Sequence, residues 1–262
     1  MIFLFVFIFV EYYTNSFFLV PYFKNKNGNL IFGKIFVVYW IFISITWLKS
    51  YVHVSWLDAG SIVNEIDRLS KISPTEVENQ IKSIGKCQKC GSAKPFRAHH
   101  CSKCKKCYFR FDHHCDLVGN CVAYRNAQPF VLYLIYGCFI LFSSSFISFA
   151  PSFFHSPINQ SLSQSYGVLI GLFALVISFF AYFTLTGLLS DQTTLERLYK
   201  MKTGQPVQVE SMEPYWGDSF FLYILPHSPD TYFYKEVTIQ ERLYALQKFD
   251  NHLIAEEFED TA

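Results

Sequence analysis

Apolar positions along this chain come in long blocks rather than in alternation. Four blocks stand out: residues 2–23, 30–48, 130–150 and 166–189. A helix needs ~20 mostly apolar residues to cross a bilayer core. The third and fourth blocks meet that length, and the fourth carries no charge. The first block contains Glu11 and Asn15. It reads as a span starting at Met1 rather than a cleaved signal peptide, because it has neither a basic lead nor a small-residue cleavage site. Glu11 inside a span is a functional candidate by default, or a sign that the span is shifted. Polar residues dominate residues 58–128. In the tail, Ile239, Leu243, Leu246, Phe249 and Leu253 recur at three- and four-residue steps, the pattern of an amphipathic helix. Its acid-rich polar face favours packing on the polar segment over a membrane surface. No internal repeat is read at the residue level. The pattern predicts an α-helical integral membrane protein with four transmembrane helices. Its parts are a hairpin over residues 1–57, a cysteine-rich segment over 58–128, a second hairpin over 129–189, and a tail over 190–262.

Composition supports this layout. Of 262 residues, 51% are hydrophobic and only 16% are charged, below the ~25% usual for soluble domains. The net charge of +1 does not suggest a polyanion partner. Charge distribution says more than the total. Lys and Arg crowd residues 58–128, while residues 151–165 contain none. Basic loops stay on the cytosolic side, so both termini and the cysteine-rich segment are expected there, although Lys24 and Lys26 run slightly against this. Asn159-Gln160-Ser161, a possible glycosylation acceptor, then faces the other side. An endomembrane location, Golgi or endoplasmic reticulum, fits this reading.

Eight cysteines are present, and seven fall between Cys87 and Cys121. In a reducing cytosol such a cluster points to metal rather than disulfides. Cys-x2-Cys steps suit tetrahedral zinc, since two thiolates on a tight turn reach one ion. Two sites of three cysteines and one histidine each would leave one cysteine and two histidines over. Which cysteine is free does not follow from composition. The eighth, Cys138, lies in an apolar run and reads as packing.

The run Cys87-x2-Cys90-x9-His100-Cys101-x2-Cys104-x2-Cys107-x4-Asp112-His113-His114-Cys115-x5-Cys121 resembles the cysteine-rich domain of the DHHC protein S-acyltransferases. Asn126 and Phe130 match a further Asn-x3-Phe element of that family. Thr193-Thr194-Leu195-Glu196 matches its TTxE motif, and Asp58-Ala59-Gly60 resembles its Asp-Pro-Gly with Ala for Pro. The resemblance implies a membrane enzyme that moves a fatty acyl chain from acyl-CoA, typically palmitoyl-CoA, to cysteines of membrane-associated proteins on the cytosolic face. It implies one zinc on Cys87, Cys90, His100 and Cys107, and a second on Cys101, Cys104, His114 and Cys121. It leaves Cys115 as nucleophile, His113 as its base and Asp112 as orienter, with Thr194 positioning Asp112. The other reading of Thr194 is a helix cap. Lys94, Arg97 and His99 match a family Lys-Pro-x-Arg stretch. They are expected either to bind the CoA phosphates or to form a basic face toward anionic lipid.

The chemistry of these residues agrees with that assignment. A free thiol is mostly protonated at neutral pH, and an imidazole held by a carboxylate can take its proton. Other readings are a zinc-stabilised membrane scaffold or adaptor and an inactive pseudoenzyme, but a scaffold has no use for the spare Asp112-His113-Cys115 set. Nucleic-acid binding is set aside, because the segment lacks a recognition helix and mixes its basic residues with acids. An accessory subunit is allowed. Asp116 and Leu117 stand where the family commonly has Pro-Trp. Asp116 beside the thiol is expected to raise its pKa, so autoacylation should be slower than in an Asp116→Pro, Leu117→Trp variant.

Overall fold

The structure is a computed structural model and describes residues 30–71, 74–82, 84–95, 97–149, 160–190 and 192–204. The first apolar block with Glu11, the acceptor Asn159 and the tail helix around Leu243 lie outside the described residues. The elements, in chain order, are α1 (Leu30–Trp56), α2 (Ile62–Ser70) and α3 (Pro74–Ile81). Then come β1 (Ala98–Cys101), β2 (Lys106–Phe109), β3 (His113–Cys115) and β4 (Asn120–Val122), followed by α4 (Ala127–Ile147), α5 (Gln160–Leu189) and α6 (Thr194–Thr203). Among the described residues three helices, α1, α4 and α5, are long and apolar enough to cross a membrane. The first of the four expected spans falls outside the described residues.

The chain divides into two compact units. The first takes the described residues up to Tyr51 together with residues 130–186. Its helices meet through aromatic rings and small residues. Trp47 and Tyr51 lie 5.6 and 5.9 Å from Tyr133, ring centre to ring centre. Between α4 and α5 the seam is built of serine and glycine. Ser145 Oγ donates to the Gly167 carbonyl at 2.8 Å, and Ser163 Oγ to the Ser148 carbonyl at 2.6 Å. Apolar burial gives little drive between helices in lipid, so close backbone approach and hydroxyl bonds do this work. The opposite faces expose Ile35, Val38 and Ile41 on α1 and Leu172, Phe179 and Phe180 on α5, as suits an apolar solvent.

The second unit takes Val52–Pro129 and the residues from Gly187 onward. It has little regular structure, so its order comes from side-chain bonds to backbone. Asp58 accepts from the Ser61 N–H at 3.2 and 3.3 Å and from Asn64 Nδ2 at 3.0 Å, which fixes the start of α2. Gly60 has φ 101°, a region only glycine enters cheaply. Its carbonyl accepts the Phe109 N–H at 3.0 Å, and the Ala59 carbonyl accepts the Arg125 N–H at 3.1 Å. Asn120 Nδ2 donates to the carbonyls of Val54 and Leu57 at 2.9 and 2.8 Å, satisfying groups that the end of α1 leaves without helical partners.

The α4–α5 seam is directly testable. A Cβ on Gly167 would meet Ser148 Cβ at 2.8 Å and the Ser145 carbonyl at 3.1 Å, whereas one on Gly85 meets nothing within 4 Å. Gly167→Val should lower the thermal midpoint of the detergent-purified protein by about 3–10 °C, while Gly85→Ala leaves it unchanged.

Candidate active site and metal centres

The cysteine-rich segment is a row of three short antiparallel hairpins. Their stems pair Lys86 with Ala93, His100 with Cys107, and His114 with Cys121. Each hairpin closes with the same turn. The N–H of the fifth turn residue bonds the carbonyl of the first: Gly91 to Cys87 at 2.8 Å, Lys105 to Cys101 at 2.8 Å, and Gly119 to Cys115 at 2.9 Å. That fifth residue is left-handed every time, with φ 72°, 58° and 69°. Stem and turn recur every fourteen residues. The expectation that the chain has no internal repeat is therefore corrected. The repeat consists of ligand spacing and turn geometry over a few residues, with little else alike, which is why it escapes a search for similar segments.

The repeat brings together two sets of donors, Cys87, Cys90, His100 and Cys107, and Cys101, Cys104, His114 and Cys121. Each set takes two cysteines from one hairpin's turn and a cross-strand His–Cys pair from the next hairpin's stem. In the first set Cys90 and Cys107 sulfurs are 3.5 Å apart, and His100 Nδ1 lies 3.7 Å from Cys87 and 3.9 Å from Cys107. In the second, His114 Nδ1 lies 3.4 to 3.6 Å from Cys104, Cys121 and Cys101. Donors around a tetrahedral zinc, with bonds of about 2.0–2.3 Å, stand about 3.5–3.8 Å apart. The residues present fit such an ion at both places.

Groups outside the donor sets orient them. The Cys104 N–H points to the Cys101 sulfur at 3.4 Å. His114 uses Nδ1 toward the set, and its Nε2 lies 3.3 Å from an Asp116 oxygen. A carboxylate behind a metal-facing imidazole fixes its tautomer and tilt. Lys103 Nζ holds the same carboxylate at 2.6 and 2.7 Å.

Cys115 belongs to neither set. It is buried, and the adjacent row forms one line of hydrogen bonds. Asp112 Oδ2 lies 2.7 Å from His113 Nδ1. The same carboxylate accepts the backbone N–H of Thr194 at 2.5 Å and its hydroxyl at 2.9 Å. It thus sits at the N-terminus of α6, where backbone dipoles favour negative charge. Burial disfavours the His113 imidazolium, but the hydrogen bonds to Asp112 and Cys115 and the charges of both raise its pKa to about 9. For Cys115 burial likewise opposes ionisation. The hydrogen bond from His113, the N–H groups of Val118 and Leu117 and the His113 charge outweigh it, and the thiol falls below its ordinary value. The expectation that Asp116 raises this pKa is corrected, because its carboxylate turns away to Lys103 and His114. Leu117 is exposed.

Arg97 and His99 do not act as the expected phosphate contacts. The Arg97 side chain is buried, and its Nε and Nη2 donate to Glu196 at 2.5 and 2.8 Å. Burial pulls His99 down to about 4, with Lys94 and Arg97 adding to the shift and Glu196 opposing it, so this imidazole is neutral at physiological pH. Both assignments are therefore corrected: the guanidinium is spent on a buried carboxylate, and the ring carries no charge. Lys94 is half-buried. The two threonines of the TTxE match divide the work expected of one. Thr193 caps α6 in a reciprocal box with Glu196, whereas Thr194 reaches Asp112. Sequence reasoning noted Glu196 only as a motif letter and gave no role to Asn120. The first is a carboxylate placed to cap a helix, which is readable; the second is long-range and carries no local signal.

A family model described as DHHC palmitoyltransferase matches residues 80–205. Among curated relatives, Probable protein S-acyltransferase 12 of Arabidopsis thaliana is 32% identical over 186 residues, 65% of this chain and 62% of that protein. Palmitoyltransferase ZDHHC3-A of Danio rerio is 34% identical over 141 residues, 52% of this chain and 41% of that protein. Palmitoyltransferase ZDHHC3 of Rattus norvegicus is 43% identical over 77 residues, 29% of this chain and 24% of that protein. The chain spans less than two thirds of the length of each.

The Arg97–Glu196 pair predicts a marked asymmetry. Arg97→Met leaves a buried carboxylate without its cation and should cost about 3–5 kcal/mol. Adding Glu196→Met should recover most of that loss, read as the thermal midpoint of the purified protein.

Proposed function

Because residues 80–205 place this chain in the DHHC S-acyltransferase family, we propose that it transfers a fatty acyl group from acyl-CoA to cysteine thiols of membrane-associated proteins. The observation that carries this reading is the line Thr194–Asp112–His113–Cys115, a thiol, a base and an orienter in sequence. Zinc on the two donor sets would supply rigidity, fixing His114 on one side of Cys115 and Cys121 on the other.

The reaction runs in two balanced halves. The Cys115 thiolate attacks the acyl carbonyl of the donor, a new C–S bond forms, and the bond to CoA sulfur breaks. The departing CoA thiolate takes the proton held on His113. A substrate thiol then returns a proton to His113 and attacks the acyl–Cys115 thioester, releasing the Cys115 thiolate. Asp112 holds His113 Nδ1 throughout, which leaves the other ring nitrogen to face sulfur. Lys94 is proposed to contact the CoA phosphates. Cytosolic placement of both termini, a Golgi or endoplasmic-reticulum membrane, a further span before α1 and an accessory subunit complete the proposed setting.

Incubation with palmitoyl-CoA should label the wild-type chain with a hydroxylamine-sensitive acyl group, and Cys115→Ser should abolish it. Full labelling of that variant would assign the nucleophile elsewhere. The pH profile follows from the two shifts. Below the lowered Cys115 pKa the sulfur is protonated and inert; above about 9 His113 loses its proton and the ion pair with it. Autoacylation should therefore reach its maximum below the ordinary thiol range and fall above about pH 9. A rate that keeps rising through about pH 9 would contradict the pairing.

A further inference from the structure

The two donor sets use six of the seven clustered cysteines and leave Cys115. The repeat explains why it is left. The turn of the first hairpin joins the stem of the second to make one site, and the turn of the second joins the stem of the third to make the other. The turn of the third hairpin, residues 115–119, has the same backbone, with the Gly119 N–H on the Cys115 carbonyl and Gly119 left-handed. Cys115 stands where Cys87 and Cys101 stand in the earlier turns. The place of Cys90 and Cys104 falls to Val118, which is buried. A fourth stem would put its ligands at residues 128 and 135, and these are Gln128 and Ile135, within α4.

The sulfur contacts repeat as well. In the second turn the N–H of Cys104 points to the sulfur of Cys101. In the third, the N–H groups of Val118, the equivalent residue, and of Leu117 act on the sulfur of Cys115 and favour its thiolate. Resting on the reading of Cys115 as nucleophile, we propose that residues 115–119 are a third ligand turn that holds no metal. Its Leu117 and Val118 N–H groups position the Cys115 sulfur for the acyl donor, as the Cys104 N–H of the second turn positions the Cys101 sulfur for an ion. Gly119 is then a positioning residue. A Cβ there would meet nothing within 4 Å, so a side chain acts only through the left-handed backbone.

The test uses the full chain in detergent with palmitoyl-CoA, recording single-turnover acylation, half-saturating donor concentration and bound zinc. Gly119→Asn, which tolerates a left-handed backbone, should stay within about twofold of wild type. Gly119→Val should lower the maximal acylation rate about tenfold or more, with half-saturation unchanged and about two zinc per chain retained. Replacing the Val118 amide by an ester, which removes only the N–H, should lower the rate by about tenfold. Wild-type rates in the ester form or in Gly119→Val would overturn the proposal. So would loss of zinc in step with loss of rate, since that marks a general structural role. Alkylation of Cys115 by iodoacetamide separates this proposal from the acyltransferase reading. If wild type forms no acyl-enzyme, that reading fails, while equal alkylation rates for the amide and ester forms would still overturn the proposal by themselves.

Discussion

Four donors must converge at one point, twice, in a segment whose strands are only three or four residues long. That constraint organises the second unit. Its apolar clusters are small, and they are built partly from the donors: Cys101 and Cys121 pack with Ala59, Tyr108 and Phe111, and Cys87 and Cys107 with Ile62, Ala93 and Ala98. So little core cannot offset the entropy of ordering such a chain. Structural zinc contributes on the order of 10–16 kcal/mol in comparable small modules. Metal binding and burial are then one event, and each site links one hairpin's turn to the next hairpin's stem.

The chemistry inherits this construction. Cys115 follows a stem residue facing the second site and opens the last turn, so its position is fixed before any substrate arrives. His113 precedes that stem residue on β3, and Asp112 lies just before the strand. The remaining support comes from far along the chain, where α6 presents Thr194 to Asp112 and Glu196 to Arg97. His99 and His113 occupy equivalent places in successive hairpins and are driven in opposite directions. Burial disfavours the charged form of both, with Lys94 and Arg97 adding to it at His99, whereas Asp112 and Cys115 outweigh it at His113. The same backbone thus carries a neutral ring in one copy and a charged one in the next.

Much of this was legible in the sequence, and the gaps have physical causes. Apolar block length marks α1, α4 and α5, and the family resemblance marks both donor sets. Charge assignments were less legible. Arg97 reads as a phosphate contact until Glu196, 99 positions away, is seen to take it. Asp116 reads as a neighbour of the nucleophile because it is adjacent in sequence, yet the turn points it to Lys103. Side-chain direction across a tight turn is set by backbone geometry, which residue identity alone does not reveal. The fourteen-residue repeat lay in plain view as Cys-x2-Cys-x9-His-x6-Cys, written twice and overlapping, and the overlap hides it.

The central claim is that one cysteine, Cys115, is free and held ready while six others are committed to metal. Native mass spectrometry of the zinc-loaded chain, followed by brief iodoacetamide treatment and peptide mapping, tests this most directly. Two retained zinc ions and a first adduct on Cys115 among the cysteines between Cys87 and Cys121 are the expected result. Earlier modification of any of the six ligand cysteines, or a Cys115 protected until zinc is lost, would contradict it.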